Sequence, residues 1–158
     1  MMNAGGRALR HAFRAAVVAL ALVTTSITVP AQTKDADREA VRLAALDYVE
    51  GVYNVEPARI ERSVHPTLVK RGFHKDTAAG PYVESPMTYE QLVRLAANWN
   101  KEKKRDTSIK EVAVLDVLDQ TAVAKVTAQW GIDYMQLAKF EGRWKIVQIL
   151  WQSHPPKG

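Results

Sequence analysis

"TAVAKVTAQWG", Thr121 to Gly131, is the stretch whose period decides the fold. Ala122, Ala124, Val126, Ala128 and Trp130 fall on one side of an extended chain, and Lys125, Thr127 and Gln129 on the other. That two-residue period is a strand with one buried face. Upstream, "SIKEVAVLDVL" (Ser108 to Leu118) is rich in β-branched residues and joins this strand through a tight turn at Asp119 and Gln120. Downstream, "FEGRW" (Phe140 to Trp144) reads as a hairpin turn, with Gly142 supplying the permissive backbone. The closing strand, "WKIVQILWQ", is apolar on both faces: Trp144, Ile146 and Leu150 on one, Val147, Ile149 and Trp151 on the other. Both faces should then be covered, one by helices and the other by a second subunit.

Ahead of the strands the period changes. Val41, Ala45, Tyr48 and Val52 recur at i, i+4, i+7 and i+11, which predicts a helix between Asp35 and Tyr53 with acidic residues in its first turn. Pro57 suits the first position of a short second helix, with Ile60 and Val64 facing inward and Pro66 ending it. Leu68 to Ser85 carries only a weak pattern. A third helix opens with a capping box at Thr88 and Gln91, and Leu92, Leu95, Ala96 and Trp99 supply its apolar face. Helices gathered on one face of an antiparallel sheet make an α+β layout.

The N-terminus reads as a leader. Arg7, Arg10 and Arg14 precede the apolar run "AAVVALALV" (Ala15 to Val23), and "VPA" (Val29 to Ala31) offers small residues for cleavage. This is the pattern of a secretory signal peptide over residues 1–31, leaving one domain over 32–158 in a periplasmic or secreted protein with no stable membrane anchor. The leader takes three of the 22 basic residues and none of the 17 acidic ones, so the remainder carries 19 against 17, a net +2. Nucleic acid is therefore not an expected partner. With no cysteine, the chain has neither disulfide nor thiol nucleophile and must rely on its core.

"ALDYVEGVYN", "HPTLVKRGF" and the run "VLDQTAVAKVTAQW…DYMQLAKFEGRWKIVQILWQ" together resemble the putative lumazine-binding branch of the nuclear transport factor 2-like superfamily. The resemblance implies three N-terminal helices packed on a strongly bent antiparallel sheet, forming a cone whose hollow often holds a ligand or an active site. Members include isomerases, dehydratases and cyclases as well as non-catalytic proteins, so the fold does not name the function.

In such a hollow the inward residues would include Tyr48, Tyr53, Trp99, Trp130 and Tyr134, beside small alanines that leave room for a flat apolar ligand. Arg71 is a candidate for an acidic ligand group. The leading expectation is an exported, non-catalytic binder of a small hydrophobic or aromatic molecule, without cofactor and paired into a homodimer through Val147, Ile149 and Trp151. One alternative is an isomerase, dehydratase or cyclase with His65 as acid–base, assisted by Tyr53 or Tyr134. Another is a protein-interaction module built on the outer sheet face. His65 and His74 are too far apart in sequence, with too few neighbouring ligands, for a metal site. Asp133 is a second catalytic candidate, but alternation continued from Trp130 turns it outward, and only a bulge at Gly131 reverses that.

Overall fold

The computed structural model describes residues 33–155. The expected leader, residues 1–31, lies outside them. Helix α1 spans Lys34–Tyr53, capped by Thr33, whose hydroxyl accepts from the Ala36 amide at 3.3 Å, and its buried stripe includes Val41, Ala45, Tyr48 and Val52. Helix α2, Pro57–Ser63, begins at its proline as expected. It stops before Pro66, however, which lies inside strand β1 (Val64–His74). The pairing of β1 shifts between Val64 and Val69, and the proline sits in that irregularity, where it owes the ladder no N–H.

The weakly patterned stretch is thus mostly sheet: β1, then β2 (Val83–Met87), whose Pro86 is tolerated on an edge strand. Helix α3, Tyr89–Ala96, has the expected capping box, with Gln91 accepting from the Thr88 amide at 2.7 Å. Strands β3 (Lys110–Val117), β4 (Thr121–Ala128), β5 (Gly131–Phe140) and β6 (Arg143–Gln152) complete one sheet of order β2-β1-β6-β5-β4-β3. Two expectations are corrected here. The sheet is mixed, because β6 returns beside β1 running parallel to it, and α3 follows two strands instead of joining an N-terminal helical block.

Alternation does not run unbroken through either hairpin partner. β4 ends at Ala128, which pairs with Gly131, so Gln129 and Trp130 form a two-residue turn. Counting inward positions restarts there, which places Asp133, Met135 and Leu137 inside and leaves Tyr134 49% exposed. In β6 the register with β5 shifts around Val147. Trp144 and Ile146 face the core before this bulge and Ile149 faces it after, while Leu150 turns outward. The two apolar faces expected for β6 are therefore two halves of one inner face in opposite phase. Ile149 is 1% exposed and Trp151 packs against the core, so neither belongs to an outer docking surface.

Candidate functional site

Five elements and the β4–β5 turn converge on a hollow of about 140 Å³. Helix α1 contributes Tyr48 and Val52, β1 Lys70, β2 Met87, and α3 with the turn beyond it Leu95 and Trp99. Trp130 and Trp151 close the wall. The aromatic rings brace one another: Trp99 stacks on Tyr53 with centroids 5.5 Å apart, and Trp130 meets Tyr48, Tyr53 and Trp99 edge-on. Arg105 lies over the Trp99 ring at 4.6 Å.

Behind this apolar lining sits a charged network. Lys70 Nζ donates to Tyr48 Oη at 2.7 Å and to Asp133 Oδ1 at 3.1 Å. The Tyr48 hydroxyl donates to the same carboxylate oxygen at 3.3 Å, and Trp130 Nε1 donates to Oδ2 at 2.7 Å. Asp133 is fully buried and Lys70 nearly so, which makes this a desolvated ion pair with additional donors completing the carboxylate. Burial pushes the Lys70 ammonium below its ordinary pKa, with the Asp133 charge and hydrogen bond opposing. Burial first, then the Asp133 charge, raises the Tyr48 phenol well above 10.0, so it stays a donor.

Glycine makes two of these placements possible. A Cβ on Gly72 would stand 1.8 Å from Trp151 Nε1, so the indole lies flat across β1 only because that residue is glycine. Gly131 has φ +146°, and a Cβ there would meet the Gln152 carbonyl oxygen at 2.0 Å. This glycine opens β5 directly after the two-residue turn, whose length turns Asp133 inward where uninterrupted alternation turns it out.

The sequence candidates divide accordingly. Tyr48, Trp99 and Trp130 line the hollow. Tyr53 lies beside it, but its hydroxyl is committed to the backbone, donating to the Ile109 carbonyl at 2.5 Å and accepting from the Gln129 amide at 2.7 Å. Asp133 is inside, contrary to its expected outward orientation. Tyr134 is outside, and Arg71 lies on the outer face pairing with Glu84 at 3.0 Å. His65 bonds Thr67 at 2.8 Å and stacks on Phe140 at 4.2 Å. Phe140 is seven residues along β5 from Asp133, about 23 Å at strand rise, so His65 joins neither Tyr53 nor Tyr134 in a site. His74 pairs with Asp76 and stacks on Trp151, and among the described residues no cluster of three metal-ligating side chains occurs.

Lys70 and Trp151 were hidden by their surroundings in sequence. In "LVKRGFH", Val69 and Phe73 look like the inward residues of a strand, yet they are 59% and 36% exposed while Lys70 and Gly72 are buried. The one available signal was a glycine in strand phase with the lysine, marking a close approach by another group. Trp151 needed the β6 bulge to be known.

A family model described as "Putative lumazine-binding" matches residues 36–152. No curated protein matches the chain. Among solved structures, it is similar to a nuclear transport factor 2-like protein of unknown function from Shewanella baltica (TM-score 0.59, 17% identity, 78% of this chain and 98% of that one). It is likewise similar to one from Silicibacter pomeroyi (TM-score 0.61, 16% identity, 77% and 99%). An uncharacterized protein with a cystatin-like fold from Caulobacter vibrioides aligns at TM-score 0.53 and 15% identity, over 76% and 91%. At these identities the likeness is one of fold.

Proposed function

Because the chain belongs to the putative lumazine-binding family and has the nuclear transport factor 2-like fold, we propose that it binds a small aromatic molecule in the Tyr48–Trp99–Trp130–Trp151 hollow and performs no chemistry on it. The observation that carries this reading is the combination of an aromatic-walled hollow with a carboxylate whose oxygens are both already engaged. Asp133 accepts three hydrogen bonds and is not a lining residue, so its evident work is to hold Tyr48, Lys70 and Trp130 in place. His65, the alternative acid–base, is committed elsewhere.

The leader-like N-terminus supports export to the periplasm or beyond. The outer sheet face supports pairing into a homodimer. Its apolar centre is Val69, Phe73, Tyr134 and Leu150 on the adjacent strands β1, β6 and β5, replacing the expected Val147, Ile149 and Trp151 patch. One experiment addresses all three statements: native mass spectrometry of the full chain after expression with its own N-terminus. The expected species is a dimer, shortened by residues 1–31, carrying a small non-covalent mass. An uncleaved chain removes the export reading, a monomer removes the paired sheet, and failure to retain or take up any aromatic molecule removes the binding function.

A further inference from the structure

We infer that the ligand is a neutral, single-ring molecule bearing a carbonyl oxygen, and that Lys70 Nζ donates to that oxygen. This rests on the reading of the hollow as a ligand site and narrows its occupant by three independent features. The first is size. A hollow of about 140 Å³ is close to the roughly 150 Å³ engineered cavity that accommodates benzene, so it seats one aromatic ring.

The second is the sense of the hydrogen bonding. The lining side chains are tyrosine, valine, lysine, methionine, leucine and tryptophan, so the only side-chain oxygen among them is the Tyr48 hydroxyl. That hydroxyl already accepts from Lys70 and donates to Asp133. Trp130 Nε1 is spent on Asp133. Lys70 carries three N–H bonds and uses two, at Tyr48 and Asp133. Trp151 Nε1, over Gly72, is a buried donor with no partner among the described residues. The wall has donors to spare and lacks a free strong acceptor, so it selects a ligand that accepts.

The third is charge. Lys70 and Asp133 neutralise one another within the core. An anionic ligand would add a second buried negative charge against a single ammonium, at a large desolvation cost. A carbonyl oxygen satisfies the spare N–H without changing that balance. It would also lie beside an ammonium already 5.2 Å from the centroid of the Tyr48 ring and 5.5 Å from that of Trp151.

The test compares three single-ring probes on the full chain: 4-pyranone, which is neutral and only accepts; benzene, which is apolar; and benzoate, which is anionic. Binding is read from the indole N–H cross peaks of the four tryptophans in a proton–nitrogen NMR titration. The expected order places 4-pyranone at least about tenfold tighter than either competitor, the increment of one charge-assisted hydrogen bond. In the Lys70→Met/Asp133→Asn double variant, which avoids burying an unpaired carboxylate, 4-pyranone should lose its roughly tenfold advantage over benzene. Equal affinity for benzene, a preference for benzoate, or an unmoved 4-pyranone affinity in a folded variant overturns the inference and leaves the hollow as a binding site. No perturbation by any probe overturns both. The three-probe ranking needs no variant, so it decides the matter even if the double substitution fails to fold.

Discussion

Asp133 accepts from Tyr48, Lys70 and Trp130 at once, so removing its carboxylate strands an ammonium in the core. Breaking a buried pair from one side typically costs about 3–5 kcal/mol, whereas replacing both partners by apolar groups costs far less. Asp133→Ala should therefore lower unfolding stability by about that amount in a urea titration. The Lys70→Met/Asp133→Leu pair should recover more than half of the loss, and an additive result would show that the two charges do not depend on each other. The same reasoning explains why the burial of Lys70 is not legible from its neighbours in sequence. Nothing in the side chain's own sequence context signals a carboxylate 63 positions away.

At the scale of elements, local chemistry set most boundaries. The Thr88–Gln91 capping box, the Pro57 helix start and the β5–β6 hairpin all stand where the residues place them. In that hairpin Glu141 and Gly142 have φ of 49° and 76°, the left-handed pair that a type I′ turn demands. Glutamate gains nothing from this conformation, whereas asparagine tolerates it. Glu141→Asn should stabilise the protein by about 0.5 kcal/mol, visible as a small rise in melting temperature. No rise would mean that the turn is not strained by its side chain. The elements read less well were those whose period is interrupted: β1 by Pro66 and β6 by its bulge at Val147.

For the whole molecule, two buried carboxylates tie the first helix to the sheet at different places. Asp133 holds Tyr48 of α1. Asp37, in the first turn of α1, accepts from Lys139 and from Trp144 Nε1 at 2.8 and 2.9 Å. Burial pushes the Asp37 carboxyl up, but the hydrogen bonds from Lys139 and Trp144 and the charge of Lys139 outweigh it and hold the group below 3.8. The unfolded chain thus binds this proton more readily than the folded one. The stabilising contribution is complete above pH 3.8 and disappears as pH falls through the lower folded value. Melting temperature should drop on acidification below about pH 4, and Asp37→Asn should flatten that limb. An unchanged acid limb in the variant would assign the loss to other carboxylates, Glu50 beside Lys110 being the next candidate.

The sequence alone was enough for the first and third helices, their caps, the β5–β6 hairpin and the α+β family fold, because each depends on residues within a few positions of one another, but not for β1, β2 or the Gln129–Trp130 turn. It also placed Tyr48, Trp99 and Trp130 together as an aromatic wall. Which face several residues present followed from long-range pairing alone. The two-residue period of a strand has no memory across a turn or a bulge, and a shift of one position exchanges inside for outside. The two-residue Gln129–Trp130 turn resets that phase, with glycine at 131 because the Gln152 carbonyl leaves no room for a Cβ, and the shifted β5–β6 register resets it again at Val147. Asp133 and Trp151 consequently face the hollow and Tyr134 does not, while Lys70 is drawn inward by a carboxylate that reaches it only through the folded sheet.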